Sequence, residues 1–255
     1  GKILSEVENH ILKITISNPS KRNAFDPDMM LQLSNALTEL DVNPDLWVGV
    51  LTAEGEHFTA GLDMPKFFGP GANPTPIPEE NVSVFGLGKT CSKPIVTAMQ
   101  GISFTIGIEM ALAGDIIIAA DDCRFCQMEA KRGIAPLGGA HFRYVSRSGW
   151  GNAMYHLMLC DEFGAEEAYR VGLVQEVVAS GTQIERAMEI ARIISQNAPL
   201  GIQATKAAGR KYIEAGELSA VNAIDDIRAK VMNSQDAKEG IQSFVERRAA
   251  VFVGE

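Results

Sequence analysis

Apolar and polar residues alternate along Leu12-Lys13-Ile14-Thr15-Ile16, the period of a half-buried strand. Asn18-Pro19 ends that run. Met30, Leu33, Leu37 and Leu40 then recur at helical spacing, behind Asp26 as an N-cap and Pro27 at the first helical position. Asn43-Pro44 stops the helix, and residues 47–52 are apolar enough for a buried strand. The order β, α, β predicts a layered α/β architecture. The pattern breaks at residues 64–89, where Pro65, Pro70, Pro74, Pro76 and Pro78 predict a long irregular loop. Two readings stand for it: a functional border or a surface insertion. Beyond it come a buried strand at 94–99, a glycine turn at Gly101, a helix from about Thr105 to Ala113 and a strand at 115–120. Helices follow at 150–159 and 165–170, then a last strand at 173–178. After that the period is helical throughout: Ile184, Ala187, Ile190, Ala191 and Ile194, then 202–213 after Pro199, then Leu218, Val221, Ile224, Ile227 and Val231. The segment after Pro199 reads as a helical appendage that packs on its own core or on a neighbouring subunit.

Glu109 stands in the middle of the apolar helix that follows Gly101. An ionised carboxylate there is costly unless it is solvated, paired or used. The start of such a helix carries unpaired N–H groups that attract negative charge. A second isolated carboxylate, Glu129, precedes the Gly/Pro-rich turn Gly133-Ile134-Ala135-Pro136-Leu137-Gly138-Gly139. Two small-residue turns, Ala60-Gly61-Leu62 and Thr105-Ile106-Gly107, are each able to aim a backbone N–H at one oxygen. Either glutamate alone suits a buried structural acid or a surface acid. The combination raises the functional reading.

The formal net charge of −9 over 255 residues, with no lysine- or arginine-rich run, argues against nucleic acid or an anionic membrane as the main partner. The mixed polar start at residues 2–8 predicts no secretory signal, and no stretch of about 18 apolar residues predicts a membrane span. Four cysteines in a chain this long do not suggest a disulfide framework, so the cytoplasm is the expected compartment.

Other motifs carry less. Ser83 to Thr90 ends like a phosphate-binding loop but lacks the first glycine. Cys123-Arg124-Phe125-Cys126 is a lone C-x-x-C with no second pair, so no metal site is expected. Gly101-Ile102-Ser103-Phe104-Thr105 fails as a nucleophile elbow at its second glycine. His10, His57, His141 and His156 are scattered.

Taken together, several segments resemble the crotonase superfamily, the enoyl-CoA hydratase/isomerase family, over essentially the full length. They are Lys21-Arg22-Asn23-Ala24-Phe25, Phe58-Thr59-Ala60-Gly61-Leu62-Asp63, the run from Gly101 to Asp115, Arg124 to Glu129 with Gly133-Ile134-Ala135-Pro136, and Ser234 to Phe244. The resemblance implies an α/β fold: a spiral of repeated ββα units over 1–198 and a C-terminal helical trimerisation region over 199–255. It implies an acyl-CoA thioester as substrate, coenzyme A entering only with the substrate and no separate cofactor. It implies a homotrimer or dimer of trimers. It places the oxyanion-hole donors at the backbone N–H groups of Leu62 and Ile106, and the catalytic carboxylates at Glu109 and Glu129. Substrate contacts fall to Lys21, Arg22, Ala24, Ala60 and Asp63. Both glutamates together favour hydration of a 2-enoyl-CoA. Double-bond isomerisation, other acyl-CoA hydrolase or lyase chemistry, and a non-catalytic or RNA-binding member are the alternatives. Four positions depart from the family pattern: Thr105 and Ile106 where glycine is frequent, Met128 where proline is usual, and Leu137 where glycine is common.

Overall fold

The computed structural model describes residues 1–72 and 75–255. Pro74, one of the prolines of the irregular loop, lies outside the described residues. Strand β1 (Lys2–Glu8) pairs antiparallel with β2 (Ile11–Ser17). Helix α1 (Pro27–Val42) opens at the expected cap: the Asp26 carboxylate accepts from the Met29 N–H at 2.9 Å. Its Met29, Met30, Leu33, Leu37 and Leu40 face enters the main core. Strand β3 (Val48–Ala53) is buried along its whole length. A short helix α2 (Met64–Phe68) follows.

Next come β4 (Ile95–Met99), β5 (Ile102–Phe104), α3 (Ile106–Ala113), β6 (Ile116–Ala120) and β7 (Arg124–Cys126). Then follow α4 (Ala140–Leu159), β8 (Phe163–Gly164), α5 (Ala165–Arg170), β9 (Glu176–Val178) and α6 (Gln183–Ser195). The chain closes with α7 (Pro199–Asn222), α8 (Ile224–Met232) and α9 (Gln235–Glu246). A six-stranded sheet has the order β1-β2-β3-β4-β6-β9 and is parallel from β2 onward. A second sheet has the order β5-β7-β8. Each of β4 and β6 in the first sheet is followed at once by a short strand, β5 or β7, in the second. This repeated ββα step carries the chain sideways and delivers α3 and the Glu129 turn to one place.

Several elements differ from the sequence expectation. Strand β1 escaped it because six of its seven residues are exposed, so its pattern has no apolar face. Residues 64–68 fold as a helix rather than loop, with Pro65 tolerated in the first turn. Helix α4 begins ten residues earlier than its apolar spacing shows, and Gly149 breaks its helical backbone at φ 75°, ψ 165°. Similarly, α7 runs through Gly216 with a kink (φ 77°, ψ 179°). The last strand is limited to β9, which pairs with β6.

Candidate active site

The turn Lys21-Arg22-Asn23-Ala24-Phe25 lies against the strand-like segment 59–63. The Ala60 N–H donates to the Arg22 carbonyl, Phe25 N–H to the Gly61 carbonyl, and Asp63 N–H to the Phe25 carbonyl. Asn23, fully buried, holds this turn down: its side-chain amide donates to the Glu54 and His57 carbonyls. So Lys21, Arg22, Ala24, Ala60 and Asp63 do come together. Lys21 is ion-paired to Asp63 at 3.0 Å. Arg22 is exposed and adopts a left-handed backbone, φ 51°.

The peptide hydrogen bonds at Gly61 and Asp63 leave the intervening Leu62 N–H without an intramolecular acceptor among the described residues. Gly61 itself is at φ +107°, and a Cβ there would meet the Thr105 Oγ1 at 2.5 Å. No side chain fits this position. On the other wall, the Ile106 N–H at the start of α3 is likewise unpartnered. The residue before it is strained. Thr105 has φ 48°, ψ −113°, a conformation that glycine adopts readily and a β-branched residue does not. Such strain costs on the order of 1–3 kcal/mol and persists only where the surroundings over-determine it. Here they do. The Thr105 N–H donates to the Cys126 carbonyl, and the Thr105 carbonyl accepts from Ile108 N–H, Glu109 N–H and the Gln127 side-chain amide. Carbonyl and N–H point opposite ways across one trans peptide. Anchoring the Thr105 carbonyl therefore aims the Ile106 N–H. The Ile106 side chain is 6% exposed and packs into the main core, so its bulk is turned away from the N–H.

Glu109 lies one turn into α3 and is 2% exposed. Its carboxylate accepts from the Ala140 N–H at 3.1 Å, and the Gly138 backbone amide beside it also favours the charged form. Burial raises its pKa, and those two amides hold the rise back. The fit is close: a Cβ on Gly138 would meet Glu109 Oε2 at 2.3 Å and the Phe85 ring at 3.0 Å. Phe85 belongs to the irregular loop. Arg143 clamps that loop beside the site, donating to the Gly86 and Gly138 carbonyls.

Glu129 opens a short 3-10 turn and is 8% exposed. Among the described residues, its Oε2 is buried with no partner. Burial pushes its pKa up to about 7, and the Glu109 charge adds to the rise. Burial thus raises both carboxyls; backbone amide donors restrain the rise at Glu109, while at Glu129, whose Oε2 has no partner among the described residues, the shift reaches about 7. Met128 packs on Ile102, Phe104 and Cys126, and Leu137 is exposed on the surface.

A family model described as enoyl-CoA hydratase/isomerase matches residues 6–255. The chain belongs to the enoyl-CoA hydratase/isomerase family. Within that family, it is 32% identical over 253 residues to an enoyl-CoA hydratase, EchA19, of Mycobacterium tuberculosis, covering 98% of this chain and 95% of that protein. It is 34% identical over 265 residues to a carnitinyl-CoA dehydratase of Salmonella typhi, covering 96% and 95%. A crystal structure of a probable enoyl-CoA hydratase/isomerase from Mycobacterium abscessus superposes at a TM-score of 0.95 with 39% identity, covering 100% of this chain and 99% of that one. The crotonase-type fold expected from the motifs is therefore the fold of this chain.

Sequence reasoning placed Asn23, Gln127 and Gly138 inside quoted motifs but assigned them no role, because each acts on residues distant in sequence. Two cavities of about 470 and 450 Å³ share Gly55, Glu56 and His57. Neither is lined by Glu109 or Glu129. Among the described residues, no cluster of three metal-ligating side chains occurs, and no helix is long and apolar enough to cross a membrane.

Proposed function

We propose that the protein is a 2-enoyl-CoA hydratase working through these residues. One observation carries the reading: two buried carboxyls, one held by backbone amide donors and the other with an oxygen left without a partner among the described residues, stand with two unpartnered backbone donors. The thioester oxygen accepts from the Leu62 and Ile106 N–H groups. Glu109, the carboxyl with amide donors, takes a proton from a water held between the glutamates. The hydroxide oxygen bonds to C3, and the double-bond electrons move to the thioester oxygen as an enolate. Protonated Glu129 then delivers its proton to C2. Water is consumed and both glutamates recover their states by one proton transfer between them. Each oxyanion donor is worth on the order of 3–4 kcal/mol of barrier. The α3 N-terminus adds its dipole at the same oxygen.

The scheme calls on no cofactor beyond the coenzyme A that the substrate carries. Lys21, Arg22, Ala24, Ala60 and Asp63 are proposed to receive that coenzyme A. The loop through Phe85 is proposed to border the acyl group. Residues 199–255 are proposed to drive assembly into a trimer or dimer of trimers; Leu218, Phe244 and Val245, 73%, 85% and 73% exposed, support that reading. A reducing cytoplasmic setting belongs to the same proposal and fits four cysteines in 255 residues.

The test is incubation with crotonyl-CoA. The ultraviolet absorbance of the conjugated thioester is expected to fall. Glu129→Gln is expected to lower kcat by about 10²–10⁴-fold. No absorbance loss with short, medium or aryl 2-enoyl-CoAs, or turnover of 3-enoyl-CoA alone, overturns the hydratase reading.

A further inference from the structure

The two proposed oxyanion donors are held by separate turns, and the Thr105 side chain of one turn meets the Gly61 backbone of the other. Thr105 immediately precedes Ile106, and Gly61 immediately precedes Leu62. A Cβ built on Gly61 would lie 2.5 Å from Thr105 Oγ1 and 3.8 Å from Thr105 Cβ. The Thr105 side chain therefore rests on the Gly61 α-carbon. Its hydroxyl makes no hydrogen bond among the described residues, so it does not earn its place there by polar pairing within the fold. Its backbone, at φ 48° and ψ −113°, is one that glycine fills without strain. A threonine here is an unfavourable choice for the backbone, and its side chain meets the opposite turn.

We infer that Thr105 is a positioning residue: its side chain is the spacer that fixes the separation of the Leu62 and Ile106 N–H groups. The Thr105 peptide is anchored on its carbonyl side by Ile108, Glu109 and Gln127. Gly61 is anchored by Thr59, whose Oγ1 accepts from the Gly61 N–H at 3.1 Å and itself donates to the Asn23 carbonyl. Each turn is thus fixed to its own strand. The two segments are also hydrogen-bonded to each other before the turns, Thr59 N–H to the Ile102 carbonyl and Phe104 N–H to the Thr59 carbonyl, and the spacer sets the gap beyond those bonds, at the level of the donors. Removing it lets the gap relax; keeping its volume without its hydroxyl preserves the gap. The effect belongs to the transition state, where the charge on the thioester oxygen is greatest, so it falls on kcat more than on KM.

The inference rests on the oxyanion-hole reading above, and the experiment separates the two. Thr105→Gly and Thr105→Val are compared with the natural protein in turnover of crotonyl-CoA and in thermal melting. The carbonyl stretch of bound, isotope-labelled acetyl-CoA is measured alongside, because this saturated thioester reports donor geometry without reacting. Thr105→Gly is expected to lower kcat about 10-fold or more, with KM moved less than about 3-fold. Its carbonyl downshift on binding is expected to shrink while its Tm is unchanged or raised. Thr105→Val is expected to retain both kcat and the downshift. An equal downshift in the natural protein and Thr105→Gly overturns the spacer, as does equal loss in the Val and Gly variants. No downshift in the natural protein overturns the oxyanion hole and the spacer together. A downshift without hydration overturns the hydratase reading alone and still tests the spacer through the variants.

Discussion

Gly138→Ala is the sharpest perturbation the site offers. Gly138 is not at positive φ, so alanine meets no backbone penalty there. The whole effect falls on the Glu109 carboxylate. An added Cβ would lie 2.3 Å from Oε2 and 2.7 Å from Cδ, about 1 Å short of an ordinary contact. Retreat of the backbone is opposed by Phe85 on the same Cβ, at 3.0 Å. The carboxylate must therefore move by about 1 Å, away from the Ala140 N–H that holds it. Misplacement of a catalytic group on this scale costs about 10²-fold in rate, or about 2.7 kcal/mol of barrier. The orphaned amide costs about 1–3 kcal/mol of stability. The assay is kcat with crotonyl-CoA, paired with a thermal melt. A folded variant with a rate down about 10²-fold and Tm lower by a few degrees is expected. Gly151→Ala, where an added Cβ meets nothing within 4 Å, serves as the control and should leave kcat unchanged. A Gly138→Ala protein with kcat within about 3-fold of the parent would refute the placement of Glu109 in the chemistry.

Further outcomes follow from the same structure. Glu129 has its pKa raised to about 7, so hydration is expected to slow as pH climbs through about 7 and the acid loses its proton. A kcat/KM profile flat to alkaline pH would remove Glu129 as the acid. The same shift stabilises the fold most fully below the ordinary carboxylate pKa, and that contribution is lost as pH rises through about 7. A chemical-denaturation series across pH should show Glu129→Gln losing this dependence. Phe244→Asp places a charge on an 85% exposed ring, and sedimentation should show smaller assemblies than the parent. Unchanged mass would take α9 out of the contact.

The elements that sequence made legible are those with one strong period. Helix α1 appeared with its cap and its buried face, because Asp26, Pro27 and the Leu33 to Leu40 spacing are local facts. Strands β3, β4 and β6 appeared because parallel strands buried on both faces are continuous apolar runs. Strand β1 and the first half of α4 did not, since an exposed edge strand and a polar helix leave no such mark.

The residues of the site divide the same way. Glu109 and Glu129 were visible as carboxylates out of place, and the two small-residue turns as bends without bulk. That much follows from residue type and spacing along the chain. Tertiary structure decided which of the two acids is held by amide donors and which is left bare. It decided that the Ile106 side chain points into the core while its N–H stays free. It also decided that Gly138, nearly thirty residues beyond Glu109 in the chain, is the floor on which that carboxylate rests. A sequence determines periods, caps and breaks because those are set by neighbours a few residues apart. A protonation preference or a gap between two N–H groups is set by atoms brought together from distant segments, and folding is the step that brings them there.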